Sequence, residues 1–186
     1  MIPGEITPFL KAMFGEAIQA AEPESWQVEL GSLRLLVLLS EDQTWLRSLI
    51  SIDSAQAAEP YLAQLLEANF DETQEVRYAL HQGVLWGVYQ HALSSLTPED
   101  FRAAIARLVS LQERGLATSF DRLAEAQIRQ IIQAAKQQGQ SLEATLQTLE
   151  RFYAEGMMGG LESGSAEREQ ALGAWRYQLE RLWEEE

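Results

Sequence analysis

The chain has 186 residues, contains no cysteine, and carries 28 Asp and Glu residues against 14 Lys and Arg residues, a formal net charge of −14. The absence of cysteine excludes disulfides, thiolate metal sites and cysteine nucleophiles. The negative charge repels phosphate backbones and anionic lipid heads, so neither nucleic acid nor a membrane surface is an expected partner.

Chain length and hydropathy predict a soluble protein with one substantial core, and the absence of cysteine fits a reducing cytoplasm. A chain of this length buries about 70% of the surface that its unfolded form exposes. The longest apolar run, Leu35 to Leu39, is far shorter than the roughly 18 residues that span a bilayer. The excess of acidic residues leaves two interpretations open: it only keeps the protein dispersed, or it favours a basic partner.

The first 52 residues predict one helix and three strands. Thr7-Pro8 reads as an N-cap followed by a first-turn proline, and apolar residues recur at helical spacing as far as Ile18, which predicts a helix over residues 8–21. Gly31-Ser32 suits a tight hairpin turn. The flanking apolar runs predict an antiparallel meander with strands at residues 26–30, 33–39 and 44–52.

The next segment predicts a helix, a hairpin and a second helix. Pro60 fits the first turn of a helix that carries the apolar residues Tyr61, Leu62, Leu65 and Leu66. The hairpin turns at residues 81–83. Its first strand has Val76, Tyr78 and Leu80 on one face, and its second strand has Val84, Trp86 and Val88 on one face with Leu85 and Tyr89 opposite. Thr97 precedes a helix over residues 98–114 and has Asp100 at the third helical position.

Together these elements predict an α+β fold. The order α-β-β-β-α-β-β-α gives a five-stranded antiparallel sheet within residues 1–116. Residues 117–186 predict a helical extension of three helices, packed on or beside the first domain. The first runs over residues 121–138 and ends at Gly139, the second is capped by Ser141, and the third carries Leu172, Trp175, Leu179 and Leu182.

Residues 5–115 resemble the class I type III secretion chaperones (the Tir chaperone family) and the related YbjN-like domains. The resemblance rests on the element order and on the stretch Leu-Leu-Glu-Ala-Asn-Phe at residues 65–70, followed by the alternating hairpin and the helix after Thr97. It implies a small acidic protein, usually dimeric, that holds an extended segment of a partner protein without consuming ATP. It supplies no catalytic residues. Low lysine and high glutamine content resemble cyanobacterial proteins.

The strand at residues 33–39 is apolar on both sides. Leu33, Leu35, Val37 and Leu39 alternate with Leu36 and Leu38. An antiparallel sheet with one face in water should alternate apolar and polar residues, so two apolar faces imply two covers. The first two helices can cover one face. The C-terminal helices, a second copy of the chain or a bound client would cover the other.

No pattern of residues points to catalysis, a metal site or a cofactor. His81 and His91 are the only histidines, and neither belongs to a pair with metal-ligand spacing. Gly159-Gly160 lacks the preceding strand and the following lysine of a phosphate-binding loop. We therefore expect a protein that is not an enzyme.

Exposed aromatic and flexible apolar residues are the candidates for a partner site. Trp45 alternates with Arg47 rather than with the apolar Leu46 and Ile50, which predicts that it faces away from the main core. The two-faced hairpin strand and a glycine-flanked methionine pair add further candidates. The predicted partner-binding residues are Trp45, Arg47, Leu85, Tyr89, Met157 and Met158.

Two classes of function stay open. The first is a non-catalytic binding module of secretion-chaperone or assembly-factor type that holds a segment of a partner protein. The alternative is a structural or regulatory subunit of a larger complex. In either case we expect a two-fold homodimer, formed through the second hairpin or the helix at residues 98–114.

Overall fold

The computed structural model describes residues 1–21, 24–154 and 165–185. The chain divides into two compact units, Met1–Phe120 and Asp121–Glu186, close to the predicted boundary after residue 116. The first unit is α+β. Its helices and strands are α1 (Pro3–Phe14), β1 (Ile18–Ala21), β2 (Ser25–Leu30), β3 (Leu33–Leu39), β4 (Trp45–Ser54), α2 (Ala55–Ala58), α3 (Leu62–Asp71), β5 (Val76–His81), β6 (Val84–Ala92) and α4 (Pro98–Arg114).

The sheet is antiparallel throughout and has six strands in the order β1-β2-β3-β4-β6-β5. The prediction of five strands was wrong by one. Residues 18–21 were assigned to the first helix, but they pair with β2 as an edge strand, with Ile18 opposite Val28. A strand of four residues carries too few side chains to show an alternating pattern.

The first helix also begins earlier than predicted. Pro3 lies at its start, where a missing N–H costs nothing, and the Ile2 N–H donates to the Glu5 carboxylate over 2.9 Å. Pro8 lies inside the helix, and Thr7 accepts a hydrogen bond from the Trp26 indole over 2.8 Å rather than capping a helix. Gly15, at φ +59°, follows the last helical residue.

The other predicted elements of the first unit are present, most with shifted bounds. The second helical region starts at Ala55, where the Ser54 hydroxyl accepts from the Ala57 N–H over 3.1 Å, and continues as α3 after a short turn. The predicted cap of α4 is confirmed: Thr97 Oγ1 accepts from the Asp100 N–H over 3.1 Å. Gln82 and Gly83 both adopt positive φ in the tight turn between β5 and β6.

Helices α1, α3 and α4 contact the sheet, and its core lies on one side, which we call the covered face. The strands contribute to the core the buried side chains of Val28, Leu35, Val37, Leu46, Ile50 and Tyr89. The helices contribute Ile6, Leu10, Phe101, Ile105 and Leu108. Removing this apolar surface from water stabilises the first unit by roughly 25 cal/mol per Å².

The second unit consists of helices α5 (Ala117–Gln137), which begins in the last residues of the first unit, α6 (Leu142–Ala154) and α7 (Ser165–Trp183). Its core comprises Ile128, Ile132, Leu149, Leu179 and Leu182. Gly139 lies just beyond α5 with φ +69°, and the Ser141 hydroxyl accepts from the Ala144 N–H over 3.2 Å, as predicted for the two caps. Residues 155–164 lie outside the described residues.

Candidate functional site

The six residues predicted to bind a partner occupy different environments. Trp45 and Arg47 lie on β4 and point to the side of the sheet opposite the covered face, as predicted. Leu85 and Tyr89 lie on β6 and point into the core. Met157 and Met158 lie outside the described residues.

The strand register shows which side chains share the side with Trp45, which we call the second face. Leu36 lies opposite Leu49 of β4, Leu49 lies opposite Val88 of β6, and Val88 lies opposite Arg77 of β5. The neighbouring row places Leu38 opposite Arg47, and Arg47 opposite Gln90. Residues paired across a sheet lie on the same face. The second face therefore has apolar residues in a continuous row across its middle strands.

Most side chains of the second face keep contact with solvent. Leu36, Leu38, Trp45, Leu49 and Trp86 are half-buried. Val88, in the middle of the row, is the one buried side chain among the described residues of the second face, with 7% of its surface exposed. Half-exposed aromatic and branched side chains around a buried centre are typical of a contact surface rather than of a core.

Arg47 is held against the sheet by two neighbours on the second face. Its Nε and one terminal nitrogen donate to Gln90 Oε1 over 3.3 and 3.1 Å. Its guanidinium carbon lies 4.9 Å from the centre of the Trp45 ring, a cation–π geometry. Trp45 and Arg47 therefore form one apolar and cationic unit on β4.

Trp86 provides a second aromatic residue on this face, and sequence reasoning did not select it as a site residue. Its indole N–H donates to the His81 carbonyl across the hairpin over 3.2 Å, which leaves the ring body available to a partner. The alternation of Val84, Trp86 and Val88 was visible in the sequence. The pairing of β6 beside β4, which brings Trp86 onto the same surface as Trp45, was not.

Leu85 and Tyr89, predicted to form part of a partner surface, are buried in the structure. Only 1% of Leu85 and 2% of Tyr89 is exposed. Gly87, between them, lies so close to α4 that an added Cβ would stand 2.9 Å from Ile50 Cγ2 and 3.2 Å from Leu108 Cδ2. Their face was assigned correctly as opposite to Trp86, but α4 and the α2–α3 segment cover it. Tyr89 is covered completely, whereas Leu85 also lines the floor of a cleft between α3 and the hairpin.

Burial also changes the acidity of Tyr89. Loss of hydration raises the pKa of its hydroxyl to about 12, and the negative charges of Glu75 and Asp100 act in the same direction. The hydroxyl therefore stays protonated at physiological pH. Tyr89 is therefore a neutral residue of the core.

An apolar cleft of about 270 Å³ lies elsewhere in the first unit, between α3 and the hairpin. Its walls include Leu62, Leu65, Leu66, Tyr78, Leu80 and Leu85. Leu66 is 68% exposed, and Phe70, one helical turn further along α3, is 90% exposed. These residues form a second apolar surface, which we call the α3 surface.

Neither surface carries a set of groups suited to catalysis. Among the described residues, no cluster of three or more His, Asp or Glu side chains could hold a metal ion. His81 is exposed at the hairpin end, and His91 stacks on Tyr89 at 5.9 Å. Within the described parts of the chain, no helix combines the length and the hydropathy needed to cross a membrane. Among the described residues, the side chains of the two surfaces are mainly apolar and aromatic.

No family model and no curated protein matches the chain. The chain is similar to the solved ExsC–ExsE complex, with 16% identity and a TM-score of 0.49, over 62% of this chain and 97% of the other. It is also similar to the Yersinia pestis type III secretion chaperone SycH in complex with a fragment of YscM2, with 13% identity and a TM-score of 0.49, over 61% and 98%.

A third similar structure is the HopA1–SchA chaperone–effector complex, with 10% identity and a TM-score of 0.47, over 58% of this chain and 87% of the other. Type III secretion chaperones are the class that the sequence resembles.

Proposed function

We propose that the protein is a non-catalytic binding module of chaperone or assembly-factor type, which holds an extended segment of a partner protein on the second face of its sheet. The observation that carries this proposal is the continuous apolar row Leu36, Leu49 and Val88, flanked by Trp45 and Trp86. The covered face already packs on the helices of the first unit, so the second face is where an added segment can bury apolar area.

The shape of this surface suits an extended segment. Side chains of a strand repeat at about 6.8 Å on one face, and neighbouring strands lie about 4.8 Å apart, so rows of a sheet form shallow grooves. Trp45 and Trp86 lie on adjacent strands at opposite ends of the Leu49–Val88 pair. They bracket a space in which apolar side chains of a partner would lose water. The resemblance of residues 5–115 to secretion chaperones favours the same class of function.

The alternative function is a structural or regulatory subunit with a permanent neighbour on the same face. The two functions differ in how readily the bound partner exchanges. A chaperone-type module releases its segment, whereas a subunit co-purifies with its partner in fixed stoichiometry. Reversible binding that responds to salt supports the first function. A partner that stays bound through repeated dilution and washing supports the second.

Replacement of Trp45 by alanine tests the proposal. We expect the affinity for the partner segment to fall by about 2 kcal/mol, roughly thirtyfold, since an aromatic anchor loses its buried area. The unfolding free energy should change little, because Trp45 is half-buried in the free protein. Affinity purification with crosslinking and mass spectrometry identifies the partner, and titration of its bound segment measures the loss.

Two controls make this test specific. Tyr177→Ala removes an aromatic side chain that is 66% exposed on α7 and should leave binding unchanged. A photoreactive amino acid at Leu49 should crosslink to the partner segment, whereas one at the exposed Ala106 on α4 should not. Should Trp45→Ala unfold the protein, the residue belongs to a core and the proposal fails.

A homodimer is part of the proposal, and of the two surfaces predicted for it the hairpin remains available, whereas α4 does not. Helix α4 places Phe101, Ala104, Ile105, Leu108 and Leu111 inside the first unit, so its apolar side is already used. The hairpin contributes the exposed Leu80 to the α3 surface. We propose the α3 surface as the dimer interface, since the exposed Phe70 lies one helical turn from Leu66, which lines a cleft that could receive an apolar side chain of a second copy about a two-fold axis.

A further inference from the structure

The second face differs in charge from the rest of the first unit. Residues 1–120 contain seven Lys and Arg residues against 16 Asp and Glu residues. Among the described strand residues, the second face nevertheless carries three arginines and one glutamate: Arg34, Arg47, Arg77 and Glu29. The acidic excess of the chain is thus reversed on the surface that the proposed function assigns to the partner.

Two of these arginines are available to an incoming carboxylate. Glu29 accepts from Arg34 over 2.5 Å, so these two charges balance each other. Arg47 contacts Gln90 and the Trp45 ring, and Arg77 is exposed. Among the described residues, neither Arg47 nor Arg77 forms an ion pair with a carboxylate.

The carboxylates nearest to Trp45 along the chain do not change this conclusion. Glu41 and Asp42 lie in the turn before β4, outside the paired strand residues. The Asp42 carboxylate accepts hydrogen bonds from the Ser40 hydroxyl and from the Thr44 N–H and hydroxyl, which hold its pKa below the usual value. It is engaged within its own turn and does not face Arg47 or Arg77 across the sheet.

The register fixes the separation of the two arginines. Arg47 lies opposite Gln90, and Arg77 lies opposite Val88, so the two arginines are two strands apart and in neighbouring rows, two residues apart along β6. With strands about 4.8 Å apart and a rise of about 3.4 Å per residue, their Cα atoms lie about 12 Å apart. An extended chain covers that distance in about four residues. Residues four apart also point to the same side of an extended chain.

We propose, resting on the function above, that the segment bound on the second face is both apolar and acidic, with carboxylates four residues apart between apolar side chains. Its carboxylates meet Arg47 and Arg77 while its apolar residues cover Leu49, Val88 and Trp45. This reverses the expectation of a basic partner that the overall charge suggests. A second copy stacked face to face would bring like charges together, so it is a poor occupant.

Three synthetic peptides of one apolar sequence test this preference, with Glu, Gln or Lys at two positions four residues apart. The intact chain should bind the Glu peptide about tenfold more tightly than the Lys peptide at low salt, and the difference should shrink as salt screens it. Reversal of both charges, Arg47→Glu with Arg77→Glu, should exchange the ranking of these two peptides. Lys11→Glu, on α1 at the covered side, makes a charge change of the same sign and half the size, and should leave the ranking unaltered.

The outcomes separate this inference from the proposed function. The acidic preference is overturned if all three peptides bind equally, or if the Lys peptide binds more tightly. If Trp45→Ala abolishes that binding, the proposed function still stands. Failure of every peptide to bind the intact chain, or binding that ignores Trp45→Ala, overturns both. Occupation of the face by residues 121–186 or by a second copy would give that second result. If Lys11→Glu alters the ranking of the peptides as strongly as the double reversal does, the ranking depends only on net charge. That result also overturns the acidic preference.

Discussion

At the scale of single residues, Asn69 shows how one side chain can occupy the backbone groups of an edge strand. Asn69 of α3 lies beside the edge strand β5, where its amide donates to the Tyr78 carbonyl over 3.1 Å and its oxygen accepts from the Tyr78 N–H over 2.7 Å. It therefore takes the place of a neighbouring strand at this point and protects the edge from pairing with another chain. Partner segments are directed to the face of the sheet rather than to this edge.

Tyr89 predicts how stability depends on pH. Its pKa is raised to about 12, mainly by burial, so the folded state holds a proton that the unfolded state releases near pH 10. The stability that this residue contributes is complete below pH 10 and is lost as the pH rises toward 12. Between pH 10 and 12 the free energy of unfolding of the original chain should fall by on the order of 2 kcal/mol through this residue. We expect this fall to be absent from Tyr89→Phe when both proteins are unfolded with denaturant.

The comparison with Tyr89→Phe removes the effect of the other tyrosines, because they titrate in both proteins. Absorbance of tyrosinate in the folded protein provides an independent measurement, in which one tyrosine should resist ionisation until high pH. Parallel stability curves for the two proteins above pH 10 would contradict the assignment.

At the scale of elements, Gly87 determines how closely α4 packs on the sheet. A Cβ at this position would stand 2.9 Å from Ile50 Cγ2 and 3.2 Å from Leu108 Cδ2, and Ile50 is a rigid β-branched residue in the opposite strand. A missing side chain in β6 therefore allows a leucine of α4 to sit directly over the strand. The same close packing keeps Leu85 and Tyr89 away from solvent.

Gly87→Ala should therefore destabilise the protein, although alanine is less costly than glycine in most strands. We expect a loss of about 1–3 kcal/mol from overpacking, measured by denaturant unfolding. Gly4→Ala is the matched control, since nothing lies within 4 Å of a Cβ there and the helix α1 should gain up to about 1 kcal/mol. If Gly87→Ala proved as stable as the original chain, the contact with α4 would be looser than the structure shows.

At the scale of the whole molecule, two apolar surfaces in the first unit carry opposite charges at their margins. The second face has Arg47 and Arg77, whereas α3 carries Glu67 and Asp71 beside Leu66 and Phe70. Salt should therefore weaken the binding of an acidic segment to the second face. It should strengthen self-association through the α3 surface, because screening reduces the repulsion between two acidic margins.

The dimer proposal is tested by mass in solution. Light scattering at micromolar concentration should give twice the 20.9 kDa mass of one chain. The dimeric fraction should rise at high salt. Leu66→Ser with Phe70→Ser should return the mass to that of one chain without unfolding it, because both residues are exposed in one copy. A single-chain mass for the original protein at every salt concentration would rule out the dimer.

Local patterns in the sequence were sufficient for much of the first unit. The cap at Thr97, the hairpin after Val76 and the two apolar faces of the strand at residues 33–39 depend on neighbours along the chain, and the structure confirms them. Trp45 and Arg47 were assigned to the correct side of β4 by alternation alone. The segment Ile18–Ala21 was assigned to a helix because four residues are too few to show the alternating pattern of a strand. Its strand conformation depends on pairing with β2.

The tertiary structure alone decided which face the helices cover and which strands become neighbours. Alternation shows that Leu85 and Tyr89 oppose Trp86, but only the packing of α4 over Gly87 makes their side the core. Likewise the net charge of the chain is a sum over residues, whereas the arginine-bearing second face arises because β6 lies between β4 and β5. Periodicity along the chain determines which side chains share a face. Contacts between distant segments determine what covers that face and which charges meet on it.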